Sequence, residues 1–171
     1  VERALQISVI GGSSCDAATA DIAEEVGRRL AAAGAVLLCG GYGGVMAAAC
    51  RGARAAGGTT VGILRGYDHD EGNAELTLAL PTGMRLARNI LVVAAGEAVI
   101  AIDGSYGTLS EIALALNIDR PVVSLGSWNP DAAAHRDGRG SYRGTLEIAE
   151  SPAAAVERAL ALARERREEK A

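Results

Sequence analysis

The chain contains no phenylalanine, one tryptophan and four tyrosines, an aromatic content of 3%. Proteins that grip nucleic-acid strands do so with rows of stacking rings, and this composition supplies no such platform. Positive charge is not in excess either: 17 Lys and Arg stand against 21 Asp and Glu, a formal net charge of −4. That balance argues against broad electrostatic binding to a phosphate backbone, so no nucleic-acid partner is expected. The three cysteines, Cys15, Cys39 and Cys50, form no Cys-x-x-Cys pair and are odd in number. They fit reduced thiols packed as small apolar groups in a cytoplasm, not a disulfide framework or a zinc site. No apolar run approaches the roughly 18 residues of a membrane span. No basic segment leads into a signal-like stretch, so no membrane partner is expected.

What the chain has is small residues in a regular order. Of 171 residues, 49% are hydrophobic, largely alanine, and 22 are glycine. That is enough for one domain over 1–171 with a full core, ending in a charged, frayed tail from about residue 165. Apolar runs at 5–10, 36–39, 59–64, 76–80, 98–102 and 121–125 read as strands. Helical patterns fall between them. The first has Asp16 as N-cap, an inward face of Ile22, Val26 and Leu30, and a stop at Gly34. Others cover 45–56 and 84–95, and the last opens at Ser151-Pro152 with Val156, Leu160 and Ala163 inward. Strands apolar throughout and joined by helical crossovers imply an α/β fold. The expected architecture is a single-domain, Rossmann-like open parallel sheet with helices on both faces.

Ligands bind such sheets at the carboxyl edge of the strands. Three glycine-rich turns are expected there: Gly11-Gly12-Ser13-Ser14, Gly40-Gly41-Tyr42-Gly43-Gly44, and Asp103-Gly104-Ser105-Tyr106-Gly107-Thr108. A glycine turn that opens a helix offers free N–H groups at the positive end of the helix dipole, a seat for phosphate. Glu111 follows the third turn and places an acid beside that seat. The same residues have a structural reading. Thr108-x-x-Glu111 is also a capping box, in which Glu111 reaches back to the helix's own N–H. The P-loop signature is absent. Gly41-x-Gly43-x-x-Met46 fails the dinucleotide fingerprint at its third glycine, so a mononucleotide-sized ligand fits better than NAD.

Taken in order, the motifs resemble the Lonely Guy phosphoribohydrolases, long labelled possible lysine decarboxylases. Gly40-Gly41-Tyr42-Gly43-Gly44-Val45-Met46 resembles their GGG-x-x-G-L-M turn. Gly104-Ser105-Tyr106-Gly107-Thr108-Leu109-Ser110-Glu111 is similar to their P-G-G-x-G-T-x-x-E motif. Gly12-Ser13-Ser14 resembles their first loop, and Arg88, within Met84-Arg85-Leu86-Ala87-Arg88-Asn89, falls on the arginine of their R-K pair. The likeness covers about residues 5–125. It extends to molybdenum-cofactor carrier proteins, which share the fold and the turns. It implies hydrolysis of the N-glycosidic bond of a nucleoside 5′-monophosphate, with Glu111 as catalytic carboxylate and Arg88 as its partner. The alternative it implies is carriage of a phosphorylated pterin, or sensing of a nucleotide, without cleavage. Under either, the ligand-facing set is Gly12, Ser13, Ser14, Gly40, Gly41, Gly43, Gly44, Met84, Asn89, Asp103, Gly104, Ser105, Tyr106, Gly107 and Thr108. No metal or resident cofactor is required; the ligand is a nucleotide, phosphate or molybdopterin-type molecule. A homodimer or homotetramer is expected. Three positions depart from the hydrolase wording: Asp103 for proline, Ser105 for glycine and Asn89 for lysine. Asp103 is expected to face ribose or pterin hydroxyls instead of the anion.

Outside these motifs, Asp68-His69-Asp70-Glu71 has metal-ligand chemistry but reads as a solvated loop. His135 reads as surface. Trp128 belongs to the long irregular segment 126–144, a candidate lid.

Overall fold

The computed structural model describes residues 3–130 and 144–169. Among these residues one sheet carries seven strands, all parallel: β1 (Gln6–Gly11), β2 (Val36–Cys39), β3 (Thr60–Leu64), β4 (Leu78–Pro81), β5 (Ala98–Ile102), β6 (Val122–Leu125) and β7 (Leu146–Ile148). Their spatial order is β4-β3-β2-β1-β5-β6-β7, so the direction of winding reverses between β1 and β5. Register there pairs Ile7 with Ala98 and Gly11 with Ile102, which brings the ends of the two strands level. The Rossmann-like α/β architecture read from the sequence is the one observed.

Alternation along the strands sorts the core into two layers. Ile7, Val9, Leu37, Ile100 and Ile102 pack beneath α1 (Ala17–Ala32), α2 (Val45–Ala55) and α5 (Pro152–Glu168). Ile10, Val99, Ala101 and Val122 face α3 (Asn89–Ala95) and α4 (Tyr106–Asn117). Each wholly buried aliphatic chain such as Leu30 or Ile100 stabilises the fold by roughly 1.5–3 kcal/mol relative to exposure. On the first layer α1 and α2 meet backbone to backbone. A Cβ on Gly27 would lie 1.8 Å from the Ala49 carbonyl oxygen, and one on Gly52 would lie 1.9 Å from that of Glu24. Only glycine fits at either crossing.

Asp16 caps α1 as expected, accepting from Thr19 N at 2.8 Å, and Gly34 beyond its end has φ +73°. Ser151 caps α5 with a proline in the first turn, and Val156, Leu160 and Ala163 are buried. Several expectations need correction. Ile22 is 37% exposed, and Ala23 and Gly27 take the inward positions of α1, because a 3.6-residue repeat drifts away from a strict spacing of four. The helix expected over 84–95 is broken into a 3₁₀ turn, Arg85–Arg88, followed by α3. Arg85 enters that turn with φ +51°, a left-handed conformation that no helix continues through. β7 was not legible: three residues with one acidic side chain carry no alternation to read. The C-terminal helix does not fray at 165. It runs to Glu168, and Arg167 is tied to Glu97 (Nε to Oε1, 2.6 Å) and to the carbonyls of Arg3 and Ala4. His135 and most of the segment 126–144 lie outside the described residues. Among the described residues no helix is long and apolar enough to cross a membrane.

Candidate functional site

The turns after β1 and β5 meet at the reversal point, and the turn after β2 closes the near side. They enclose a cleft of about 200 Å³ lined by Gly11, Gly12, Ser13, Tyr42, Met46, Arg65, Leu86, Arg88, Asn89, Ser105, Gly107, Thr108 and Glu111. A wider groove of about 520 Å³ runs between α1 and α5, but none of the glycine turns lines it. The smaller cleft holds the buried ionisable groups and is the candidate site.

At its floor Arg88 Nη1 donates to Glu111 Oε1 at 3.3 Å and to Asn89 Oδ1 at 3.2 Å. Arg88 is 5% exposed and Glu111 7%. Burial pushes the Glu111 carboxyl up to about 7, and the attraction of Arg88 only partly opposes it. Burial likewise lowers the Arg88 guanidinium from its ordinary value. Both directions say the same thing: desolvation outweighs the mutual attraction of the pair. Arg88 Nε is buried with no acceptor among the described residues. Arg120 Nε shares that condition, but its guanidinium lies against the Ala94 carbonyl and does not line the cleft. An orphaned donor of this kind costs about 1–3 kcal/mol until something accepts from it.

The capping-box reading of Glu111 is not realised. α4 begins at Tyr106, its N-cap is Ser105 and not Thr108, and the Ser105 side chain makes no capping bond. Glu111 therefore sits a turn inside the helix, where its carboxylate meets Arg88. The first described acceptance at this end runs from Leu109 N to the Ser105 carbonyl. The N–H groups of Tyr106, Gly107 and Thr108 have no acceptor among the described residues. The α2 end differs: Val45 N donates to the Gly12 carbonyl at 3.0 Å, so the first loop occupies part of that helix N-terminus.

The expected residues divide accordingly. Gly12, Ser13, Arg88, Asn89, Ser105, Gly107, Thr108 and Glu111 line the cleft together. Ser14, Gly40, Gly41, Gly43, Gly44, Met84, Asp103, Gly104 and Tyr106 do not. The glycines of the second turn work behind the wall. A Cβ at Gly40 would lie 2.6 Å from Arg88 Nη2, so Gly40 makes room for the guanidinium. Gly44 has φ +59°, and a Cβ there would lie 2.4 Å from the Gly12 carbonyl oxygen. Met84 is 43% exposed beyond the rim. Asp103 has φ +46° and its carbonyl accepts from Ser127 Oγ. Asn89, in the lysine position of the hydrolase motif, brackets Arg88 to α4: its Nδ2 donates to Ser110 Oγ at 3.1 Å, which donates to the Gly107 carbonyl at 2.7 Å.

Gly11, Tyr42, Met46, Arg65 and Leu86 also line the cleft and were not in the expected set. Arg65 follows β3 directly, and position at the carboxyl end of a strand was the signal that could have found it. Its guanidinium carbon lies 4.3 Å from the centre of the Tyr42 ring, and Tyr42 OH accepts from Arg65 N at 2.8 Å and donates to Glu71 Oε2 at 3.1 Å. Glu71 of the candidate metal loop is thus engaged with Tyr42, and Asp68 accepts from Asp70 N. No cluster of three or more metal-ligating groups occurs among the described residues.

Residues 4–156 match the SLOG cluster4 family, a span that contains every turn of the cleft. The chain belongs to that family. An uncharacterized protein of Archaeoglobus fulgidus is 44% identical to this SLOG cluster4 chain over 124 residues, covering 72% of this chain and 81% of that one. The molybdenum cofactor binding protein of Rippkaea orientalis shares 32% identity and a TM-score of 0.80, over 95% of this chain and 99% of its own. The molybdenum cofactor carrier protein of Chlamydomonas reinhardtii gives the same identity, TM-score and coverage. These two structures fall on the carrier side of the resemblance read from the motifs.

Proposed function

We propose that this protein binds a phosphorylated, molybdopterin-type ligand in the cleft and carries it uncleaved. One observation supports the anion most directly: in a chain of net charge −4, the cleft is locally positive. Arg65 and Arg88 line it against a single carboxylate, Glu111, which is only about half ionised near neutrality. The open N-terminus of α4 adds its dipole to the same end. The phosphate would accept from the Gly107 and Thr108 N–H groups, and Arg88 has a donor to spare. Similarity to two molybdenum-cofactor proteins over nearly their whole length supports the cargo. For cleavage through a cationic sugar, a fully charged carboxylate would be needed beside the anomeric carbon. Glu111 is engaged with Arg88 and its charge is suppressed, which weakens it for that stabilising role.

A second reading, N-glycosidic hydrolysis of a nucleoside 5′-monophosphate, is favoured by the same titration. A proton held on Glu111 near neutral pH is available to a leaving base. Calorimetric titration with 6-hydroxymethylpterin phosphate tests the binding site. Saturable binding that Arg88→Ala weakens at least roughly tenfold supports it. Binding indifferent to Arg88→Ala would remove the cleft from consideration.

A further inference from the structure

Five aromatic residues serve the whole chain, and two of them stand together beside Ser105 of the cleft wall. Tyr106 is the first residue of α4 and is 80% exposed; Trp128 is 39% exposed. Their ring centres lie 6.0 Å apart with planes inclined by 27°. The pair is held in place: Trp128 Nε1 donates to the Ser105 carbonyl at 3.2 Å, and the Trp128 carbonyl accepts from Ser124 Oγ at 3.1 Å. Ser127 Oγ donates to the Asp103 carbonyl, which fixes the same strand end to the same turn. A protein short of aromatics would gain core volume by burying these rings. Here the largest wholly buried side chains are aliphatic, and the rings stay in solvent. Tyr106 precedes Gly107 and Thr108, whose N–H groups have no acceptor among the described residues, so the ring is borne one residue before the proposed phosphate seat.

We infer that the Tyr106–Trp128 pair is the seat for a planar heteroaromatic ring carried on the phosphorylated ligand. This rests on the reading of the cleft as a phosphate site. Every planar heterocycle offers a π face, so the pair would take a pterin or a purine. The two share a fused pyrimidine ring with amino and oxo groups, and the test separates them. The pair gives discrimination that the anion site lacks: an anchored phosphate without a ring leaves Tyr106 and Trp128 uncovered.

Trp128 is the sole tryptophan, so its emission reports on this place alone. Three probes are titrated into the full chain by calorimetry and fluorescence: 6-hydroxymethylpterin phosphate, guanosine 5′-monophosphate and ribose 5-phosphate. At least one ring-bearing probe is expected to bind roughly tenfold or more tighter than ribose 5-phosphate and to change the Trp128 emission. Ribose 5-phosphate should leave that emission unaltered. Tyr106→Leu should remove most of the advantage while ribose 5-phosphate affinity stays within about twofold. Whichever ring-bearing probe binds more tightly identifies the source, and either supports the seat. Equal affinities for all three probes would overturn the inference and leave the phosphate site standing. So would a Tyr106→Leu protein with a lowered melting temperature and every affinity intact, which would assign the pair to packing of the turn. If none of the probes binds, the reading of the cleft itself falls, and this inference with it.

Discussion

Glu111→Gln separates burial from ion pairing at the floor of the cleft. The carboxyl has an ordinary value of 4.5 and is pushed up to about 7 in the fold. Between those values the folded protein holds a proton that the unfolded chain has released. Stability therefore falls as pH rises through this window, the reverse of the usual behaviour of a paired carboxylate. Below the window both states are protonated and nothing is lost; above it the whole penalty is paid. Linkage with these two values gives a loss of up to about 2.5 kcal/mol between about pH 5 and about pH 8. Glutamine keeps an oxygen for Arg88 Nη1 and has no proton to lose. Denaturant unfolding of both proteins at the two pH values yields the double difference directly. Relative to the variant, the native protein should lose up to about 2.5 kcal/mol on going to the higher pH, roughly 5–10 °C in melting temperature. Parallel pH profiles would refute the reasoning. They would mean that Glu111 titrates as an ordinary solvated carboxylate and that the pair with Arg88 is not desolvated.

Other perturbations probe the groups around Arg88 and the α1–α2 contact. Gly40→Ala should displace the Arg88 guanidinium and weaken phosphate-ligand binding roughly tenfold, measured by calorimetry, because the added Cβ meets Arg88 Nη2 at 2.6 Å; unchanged affinity would show that Arg88 is not a ligand group. Gly27→Ala should cost about 3 kcal/mol or more by chemical denaturation, since the Ala49 carbonyl has nowhere to go and α1 must lift off α2. Arg65→Ala should weaken anion binding several-fold at low ionic strength, with the gap closing in high salt, because this guanidinium is exposed. A salt-independent loss would place Arg65 in a structural role on Tyr42 instead.

Much of the fold was legible because local signals agreed. Asp16 before an alanine-rich run, Gly34 after it and Ser151-Pro152 before the last helix each fix an end by backbone chemistry alone. The glycine turns lie at the carboxyl edge of the sheet as read, and Arg88 and Glu111, 23 residues apart in sequence, come within 3.3 Å in space. What was not legible depends on tertiary context. The start of α4 could not be read from Asp103-Gly104-Ser105, since Asp103 adopts φ +46°, a conformation that non-glycine residues seldom take. Gly40, Gly41 and Gly44 look like ligand turns in sequence, yet they serve the close approach of Arg88, β3 and the first loop. The low aromatic content is an average. It does not reveal that Tyr106 and Trp128 come together beside Ser105 of the cleft wall.

Carriage without cleavage is tested most directly by the fate of the bound molecule. The purified protein is incubated at stoichiometric concentration with guanosine 5′-monophosphate and, separately, with 6-hydroxymethylpterin phosphate, then denatured, and the released compounds are separated by chromatography. The expected result is recovery of the bound ligand intact, with no free guanine above a protein-free control. Time-dependent release of guanine and ribose 5-phosphate, abolished by Glu111→Gln, would contradict carriage and establish the hydrolase.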